Sequence, residues 1–273
     1  MALTHPLQFL LARLHQQAAV LVTVRATQGS VPRETGAWMA VFPDHATVGT
    51  IGGGRLEFDA QLHAQALLAG ERMPQEVDYA LGPSLGQCCG GRVLLHFERI
   101  SVHDAAELAL RLAPVTVPVA LFGAGHVARA LVPVLAALPM KLTWIDSRDA
   151  IFPPHMEALA QCEHSDPVQG AVATLAPGSR VVIMSFSHAE DLAIVAACLE
   201  RLRERNDLPY VGLIGSDTKW AKFQARLREQ GFSAAELERI TCPIGVPGID
   251  DKRPAVIAVA VAAQLLQVGI APN

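Results

Sequence analysis

The sequence has few cysteines, and their spacing matches neither a set of disulfide partners nor a pair of zinc ligands. It holds five cysteines in 273 residues, which is an odd number, and it contains no C-x-x-C spacing. A disulfide framework needs an even set of cysteines, and a structural zinc site needs closely spaced pairs of ligands. The cysteine content therefore argues against both a disulfide scaffold and a zinc module.

Basic runs and long apolar runs are also missing. The formal net charge is −4, and Lys and Arg are nowhere concentrated. Nucleic acids and anionic membrane surfaces attract clustered positive charge, so neither is an expected partner. No segment reaches the roughly 20 apolar residues that span a bilayer, and the N-terminus lacks the basic region and cleavage site of a signal peptide. We therefore expect a cytoplasmic protein without a membrane segment.

What the sequence does contain is enough apolar material for two domains of ordinary size. Hydrophobic residues make up 51% of the chain and charged residues 18%. The prolines of the segment APVTVP cannot continue a helix and mark a boundary, which gives a smaller α+β domain over 1–113 and a second domain over 114–273. Helices are predicted in the first domain over 6–17, 56–70 and 101–112, and strands near 19–26, 38–42, 76–81 and 92–99.

From residue 114 onward, apolar strands alternate with amphipathic helices. Strands of this kind, apolar throughout, are typical of a parallel sheet that is covered on both faces. The predicted fold class is therefore α/β, with a C-terminal Rossmann-type doubly wound parallel sheet and a smaller N-terminal α+β domain. The strands are predicted at PVALFG, KLTWID, RVVIMSF and PYVGLIG.

A glycine-rich turn stands between the first strand and the first helix of this second domain. Gly123, Gly125 and His126 fit the pattern GxGxx[G/A], in which the helix N-terminus offers N–H donors to a phosphate. Asp146 ends the next strand about 20 residues further on, where ribose hydroxyls are held. The pattern predicts a site for NAD or another nucleotide, unless the glycines only permit close helix–strand packing. His188, at the carboxyl edge of a later strand, is a candidate catalytic or cofactor-binding residue. The alternative is a residue that only makes hydrogen bonds where a helix begins.

A second glycine cluster lies in the first domain. Gly52, Gly53 and Gly54 precede Arg55 and a predicted helix, so their backbone N–H groups are able to cradle an oxyanion while the guanidinium donates to it. The alternative is a flexible turn without a ligand.

Adjacent cysteines in a glycine-rich loop form the third candidate site. Gln87, Cys88 and Cys89 belong to GQCCGG, where neighbouring backbone N–H groups favour the thiolate needed for metal contact or sulfur chemistry. The alternative is that small residues simply fill a tight loop. The remaining cysteines are expected to be inert buried residues or a loop residue: Cys162, Cys198 and Cys242.

Seven segments carry a family likeness: GSVPRETGAWM, GTIGGGRLE, LGPSLGQCCGGRV, LFGAGHVARAL, WIDSRDAIFP, YVGLIGS and CPIGVPGIDDKRPAVIAVAVAAQLL. They run from near residue 29 almost to the C-terminus, and GQCCGG and the PIGVPG…PAVIA tail are the specific ones. Together they resemble the XdhC family of xanthine dehydrogenase maturation factors.

This resemblance implies a carrier of molybdenum cofactor (molybdopterin) and not an enzyme. Such a protein holds the cofactor while a cysteine desulfurase provides its terminal sulfido ligand, passes it to the molybdenum subunit of apo-xanthine dehydrogenase, and forms a homodimer. Phosphate or pterin oxygens are then expected at the two glycine clusters, and Cys88 or Cys89 near the molybdenum, where a soft thiolate is suitable. This chain departs from many relatives at Phe186, where they have His, and at Asp217 and Thr218, where they have an Arg pair.

Two other classes of function stay open. An NAD(P)-dependent oxidoreductase would explain the second domain alone, but the chain has no Tyr-xxx-Lys pair because its only tyrosines are Tyr79 and Tyr210. A sulfurtransferase would carry a persulfide on Cys88 or Cys89.

Overall fold

A computed structural model of the protein describes residues 6–81 and 90–269. The chain divides into two compact units, Met1–Ala113 and Pro114–Asn273. The first unit holds a five-stranded sheet and the second a six-stranded sheet, and helices accompany both. The predicted fold class is confirmed, with the Rossmann-type sheet in the C-terminal unit and the smaller unit before it.

The centre of the N-terminal unit is an antiparallel sheet. Its strands are β1 (Ala19–Gln28), β2 (Trp38–Val41), β3 (Thr47–Gly49), β4 (Glu76–Ala80) and β5 (Arg92–Ile100), in the order β3-β2-β1-β5-β4. The helices of this unit are α1 (Pro6–Leu14), α2 (Gly54–Leu68) and α3 (Ala105–Arg111).

The first six residues of the central strand β1 are largely buried because helices cover both faces of this part of the sheet. Val22 packs on one face in a cluster that includes Leu56 of α2, and Leu21 packs on the other with Leu10 of α1. Successive residues of a strand point to opposite faces, so a strand covered on both sides is apolar without interruption.

The strand register brings several loops to one end of this sheet. Arg92 at the start of β5 pairs both with Gln28 at the end of β1 and with Ala80 at the end of β4. The end of β1, the end of β4 and the start of β5 therefore lie at the same end of the sheet.

The C-terminal unit is a parallel sheet of the Rossmann type. Its strands are β6 (Val117–Phe122), β7 (Met140–Asp146), β8 (Gln161–His164), β9 (Arg180–Ile183), β10 (Tyr210–Leu213) and β11 (Ile240–Thr241). All pairs are parallel, in the order β11-β10-β9-β6-β7-β8. The chain reverses its winding between β6 and β9, and ligands of such sheets bind beyond the carboxyl ends of the strands at this switch point.

Helices cover both faces of this sheet. They are α4 (His126–Ala136), α5 (His188–Arg205), α6 (Asp217–Glu229), α7 (Ala234–Leu237) and α8 (Pro254–Gln267). In β6, Leu121 packs in a cluster with residues of α4 and α8, whereas Phe122 packs in a second cluster with residues of α5 and α6. Among the helices of the described residues, none combines the length and the apolar character needed to cross a bilayer.

Some element predictions were wrong. The sequence predicts a loop after β7, but the structure has the strand β8 there, followed by a 3-10 segment at Val168–Thr174. The strand β8 lies at the edge of the sheet and is only partly buried, so it lacks the apolar run that marks the central strands. The first helix ends at Leu14 and not at residue 17.

Candidate ligand-binding site

The first glycine of the Rossmann turn is required by packing. Gly123 has a φ of 105°, and a β-carbon at this position would lie 2.1 Å from the carbonyl oxygen of Met184. The end of β6 and the loop after β9 approach each other this closely only because residue 123 has no side chain. Packing against the loop after β9, and not against a helix, therefore requires the glycine at residue 123.

The second glycine of the turn faces open space. Gly125 has the extended dihedral angles −77° and −173°, and a β-carbon there would have no atom within 4 Å. It precedes α4, which no side chain of the described residues caps. Within that part of the chain the amides of Gly125 and His126 donate to no acceptor. Unpaired N–H groups at a helix N-terminus favour an anion, so packing alone does not explain this half of the turn.

Asp146 lies at the end of β7, where the sequence predicts a ribose ligand, but its carboxylate is already engaged. The side chain is buried, and Oδ2 accepts from the amide of Ala124 at 2.7 Å and from Arg148 Nη2 at 2.9 Å. Oδ1 accepts from the amide and from Nε of Arg148, both at 2.9 Å. Burial acts to raise the pKa of Asp146, but the hydrogen bonds from Arg148 and Ala124 outweigh it, and the pKa lies below its usual value.

An exposed aromatic ring borders the same edge of the sheet. Phe186, in the loop after β9, is 60% exposed, and the guanidinium of Arg148 lies 5.0 Å from its ring centroid. An arginine over an aromatic face is a favourable arrangement. Phe186 therefore contacts the arginine that engages Asp146, a relation that could not be predicted from the sequence.

His188 belongs to a different pocket. It is the first residue of α5, its ring meets Phe223 edge-on at 6.3 Å, and it borders an open pocket of about 280 Å³. The other lining residues come from α6 and its N-cap: Ser216, Thr218, Lys219, Lys222, Phe223 and Arg226. Sequence reasoning singled out Thr218 among them but did not place it beside His188.

A buried ion pair lies beside this pocket. Nζ of Lys219 donates to Oδ2 of Asp191 at 2.6 Å and to the carbonyl of Ile214 at 2.8 Å. Oδ1 of Asp191 accepts from both the amide and the hydroxyl of Ser185. Because every polar atom of the pair is matched, it fixes the loops after β9 and β10 relative to each other.

In the N-terminal unit, the chain supplies its own anion to the second glycine cluster. Oε1 of Glu57 accepts from the amides of Ile51 at 2.9 Å and Gly52 at 3.2 Å, and from the hydroxyl of Thr50. Of the backbone donors that the sequence predicts for an oxyanion, those of Gly52 and Gly53 are therefore occupied by a carboxylate from the first turn of α2. Burial acts to raise the pKa of Glu57, but these hydrogen bonds and one from the amide of Gly53 outweigh it and lower the pKa.

Arg55, which the sequence predicts as a hydrogen-bond donor to an anion, is also paired with a carboxylate. Nε of Arg55 donates to Oδ1 of Asp59 at 2.8 Å, one helical turn further on. Gly54 forms the first residue of α2. Both therefore take part in the helix start, and Arg55 pairs with an acid on the same helix.

The segment after β1 packs against both glycine-rich stretches of this unit. A β-carbon on Gly52 would lie 2.5 Å from the ring of Pro32, and one on Gly91 would lie 2.4 Å from the carbonyl oxygen of Ser30. The structure thus brings the Gly52 turn and the base of the GQCCGG loop to the two sides of one segment. Gln87, Cys88 and Cys89 themselves lie outside the described residues.

The cysteines that the structure describes are not activated. Burial raises the pKa of Cys198 to about 12 and that of Cys242 to about 11, and it also raises the pKa of Cys162. Across residues 6–81 and 90–269, no group of three or more His, Cys, Asp or Glu side chains is arranged to hold a metal ion.

Comparisons with known proteins cover almost the whole chain. The family model described as "XdhC Rossmann domain" matches residues 119–265, and that of the "XdhC and CoxI family" matches residues 12–80. The uncharacterized protein YqeB of Escherichia coli (strain K12) is 30% identical over 271 residues. That alignment covers 94% of this chain, which spans 45% of the length of YqeB.

A solved structure shares the fold. A Bacillus halodurans protein, described as a xanthine dehydrogenase, superimposes with a TM-score of 0.77 over 97% of this chain and 96% of its own. At 21% sequence identity this likeness concerns the fold alone.

Proposed function

The chain belongs to the XdhC family, and on this basis we propose that it carries molybdenum cofactor in the maturation of xanthine dehydrogenase. In this proposal it acts in the cytoplasm as a homodimer and as a carrier, not as an enzyme. It protects the cofactor, supports its sulfuration by a cysteine desulfurase and delivers it to the molybdenum subunit of apo-xanthine dehydrogenase.

The observation that carries the proposal is the open N-terminus of α4 at the switch point of the sheet. The cofactor has a phosphate group, and the uncapped amides of Gly125 and His126 are suitable donors for it. A β-carbon on Gly125 would meet no atom within 4 Å beyond its chain neighbours, so the space beside this residue is open. A site built from backbone donors binds a phosphate reversibly, which a carrier requires.

Cys88 and Cys89 enter the proposal through their chemistry alone. A soft thiolate suits molybdenum or its exchangeable ligand, and adjacent glycines leave such a thiol accessible. GQCCGG lies between the segments that the two family models match. The thiols are therefore tested separately from the phosphate site.

A nicotinamide-dependent oxidoreductase is the second candidate. The Rossmann strand order and the Gly123–Gly125 turn favour it. The engaged carboxylate of Asp146 disfavours an enzyme that uses NAD, because the usual acceptor of the ribose hydroxyls already has four donors, but it does not disfavour one that uses NADP.

The test is anaerobic gel filtration of the protein with freshly released molybdenum cofactor, followed by assays of the protein peak for molybdenum and for the fluorescent oxidised pterin. We expect near-stoichiometric co-elution. Gly125→Phe should reduce it at least tenfold, because the ring fills the approach to α4. Gly170→Phe is the matched control, since a β-carbon at Gly170 also meets no atom within 4 Å.

The outcomes separate the parts of the proposal. No co-elution with the wild-type protein would refute the carrier function. If Gly125→Phe retains as much cofactor as Gly170→Phe, the N-terminus of α4 is not the phosphate site of the carrier. Full retention and full dehydrogenase activation by the Cys88→Ala/Cys89→Ala variant would remove the two thiols from the mechanism.

A further inference from the structure

We propose that Arg148 determines the ligand specificity of the Rossmann turn. Its guanidinium occupies the carboxylate oxygens of Asp146 and offers its remaining N–H donors to the ligand instead. The turn then selects a ligand that carries a phosphate group at this position over one that carries a free ribose diol. The inference rests on the proposed function only in taking the Gly123–His126 turn as the ligand site.

The first step is the saturation of Asp146. A carboxylate has about four acceptor positions, and four N–H groups occupy those of Asp146: the amide of Ala124 and three donors of Arg148. The side chain is 2% exposed, so no oxygen is left for a ribose hydroxyl from solvent. A diol would have to displace the guanidinium, and its hydroxyls would otherwise lose their hydrogen bonds on binding.

The second step is what Arg148 offers instead. Two of the five N–H groups of its guanidinium donate to Asp146, so three remain for a ligand. The side chain is 37% exposed and lies over the ring of Phe186. The end of β7 therefore offers a ligand hydrogen-bond donors where such sheets usually offer an acceptor. The planar guanidinium matches the geometry of a phosphate.

The neighbouring charges at this edge are of both signs. Oε1 of Glu190 accepts from the hydroxyl of Ser147 at 2.5 Å. Glu190 also faces Arg148 and adds to the rise in its pKa, which comes mainly from the hydrogen bond with Asp146. Arg129 of α4 donates to the carbonyl oxygens of Ala124 at 3.1 Å and Ile151 at 3.2 Å, so a second guanidinium lies at this edge.

Two sources of phosphate fit this chemistry, a dinucleotide with a 2′-phosphate and a phosphorylated pterin. Isothermal titration of the full-length protein with NAD and NADP isolates the position of Arg148, because the two probes differ only in the 2′-phosphate. We expect the wild-type protein to bind NADP at least tenfold more tightly than NAD. In Arg148→Ala the carboxylate of Asp146 is released, and the order should reverse through a gain of NAD binding.

Arg148→Lys keeps the charge but not the fork, and we expect it to bind both probes, with NADP still preferred. Circular dichroism checks that each variant is folded. Three results would each overturn the inference: wild-type protein that binds NAD as tightly as NADP, an unchanged preference in folded Arg148→Ala, or no binding of either probe to either protein. These results are independent of cofactor co-elution, so failure of the specificity inference is distinguishable from failure of the carrier function.

Discussion

The two glycine-rich turns of this protein differ in which of their backbone donors the chain itself occupies. Both turns lead directly into a helix, α2 in the N-terminal unit and α4 in the C-terminal unit. At the first turn the carboxylate of Glu57 receives the amides of Ile51 and Gly52. Of the amides of the second turn, the carboxylate of Asp146 receives only that of Ala124, and the amides of Gly125 and His126 donate to no acceptor within the described residues. A glycine motif thus indicates accessible N–H groups, but not which anion they bind.

The cause of the difference lies four residues into each helix. Glu57 is the fourth residue of α2, and from there its side chain reaches back over the helix start. Arg129 is the fourth residue of α4, and the first turn of that helix has no acidic residue. Acidic side chains near a helix N-terminus are favoured by the helix dipole, so an acid at this position competes with any external anion. This signal was present in the sequence.

The largest expected effect comes from Gly123→Ala. The new β-carbon would lie 2.1 Å from the carbonyl oxygen of Met184, and the backbone would keep a positive φ that alanine rarely adopts. We expect a loss of about 4 kcal/mol in the free energy of unfolding or failure to fold, in line with strong core strain. Urea denaturation measures it. A loss below about 1 kcal/mol would contradict the packing role.

Glu57→Ala should make the first turn resemble the second. Removing the carboxylate leaves the amide of Ile51 without an acceptor and the amide of Gly52 with only the hydroxyl oxygen of Thr50, which we expect to cost about 2 kcal/mol. The exposed Glu71→Ala serves as the control and should change stability by less than about 0.5 kcal/mol. The vacated amides should also bind sulfate or phosphate, so these anions should raise the Tm of Glu57→Ala more than that of the control.

The pH dependence tests the same carboxylate without removing the side chain. The pKa of Glu57 is lower in the folded protein than the ordinary 4.5. Its contribution is therefore complete above pH 4.5 and is lost as the pH falls through the folded pKa. The difference in unfolding free energy between the wild-type protein and Glu57→Gln should shrink over that range. A difference that stays constant down to pH 3 would show that the charge of Glu57 does not stabilise the turn.

Much of the architecture was predictable from local patterns. Apolar strands that alternate with helices identified the parallel sheet. The hydrogen bonds between Arg148 and Asp146 were not predictable from the sequence. Asp146 ends its strand in either case, whether the side chain of Arg148 turns toward the carboxylate or toward solvent. The separation of Phe186 from His188, which contact Arg148 and Phe223 respectively, likewise depends on a loop path that periodicity does not encode.

The smallest expected effects come from the two glycines that face open space, and they sharpen the comparison most. A β-carbon on Gly53 or Gly125 would meet no atom within 4 Å, but Gly53 has a φ of 78° and Gly125 a φ of −77°. Gly53→Ala should therefore cost about 1 kcal/mol through backbone strain, whereas Gly125→Ala should change stability by less than about 0.5 kcal/mol. Thermal denaturation of both variants measures the difference. Equal losses would mean that both glycines serve backbone conformation alone, whereas a neutral Gly125→Ala would leave access to the amides of α4 as the reason for a glycine at residue 125.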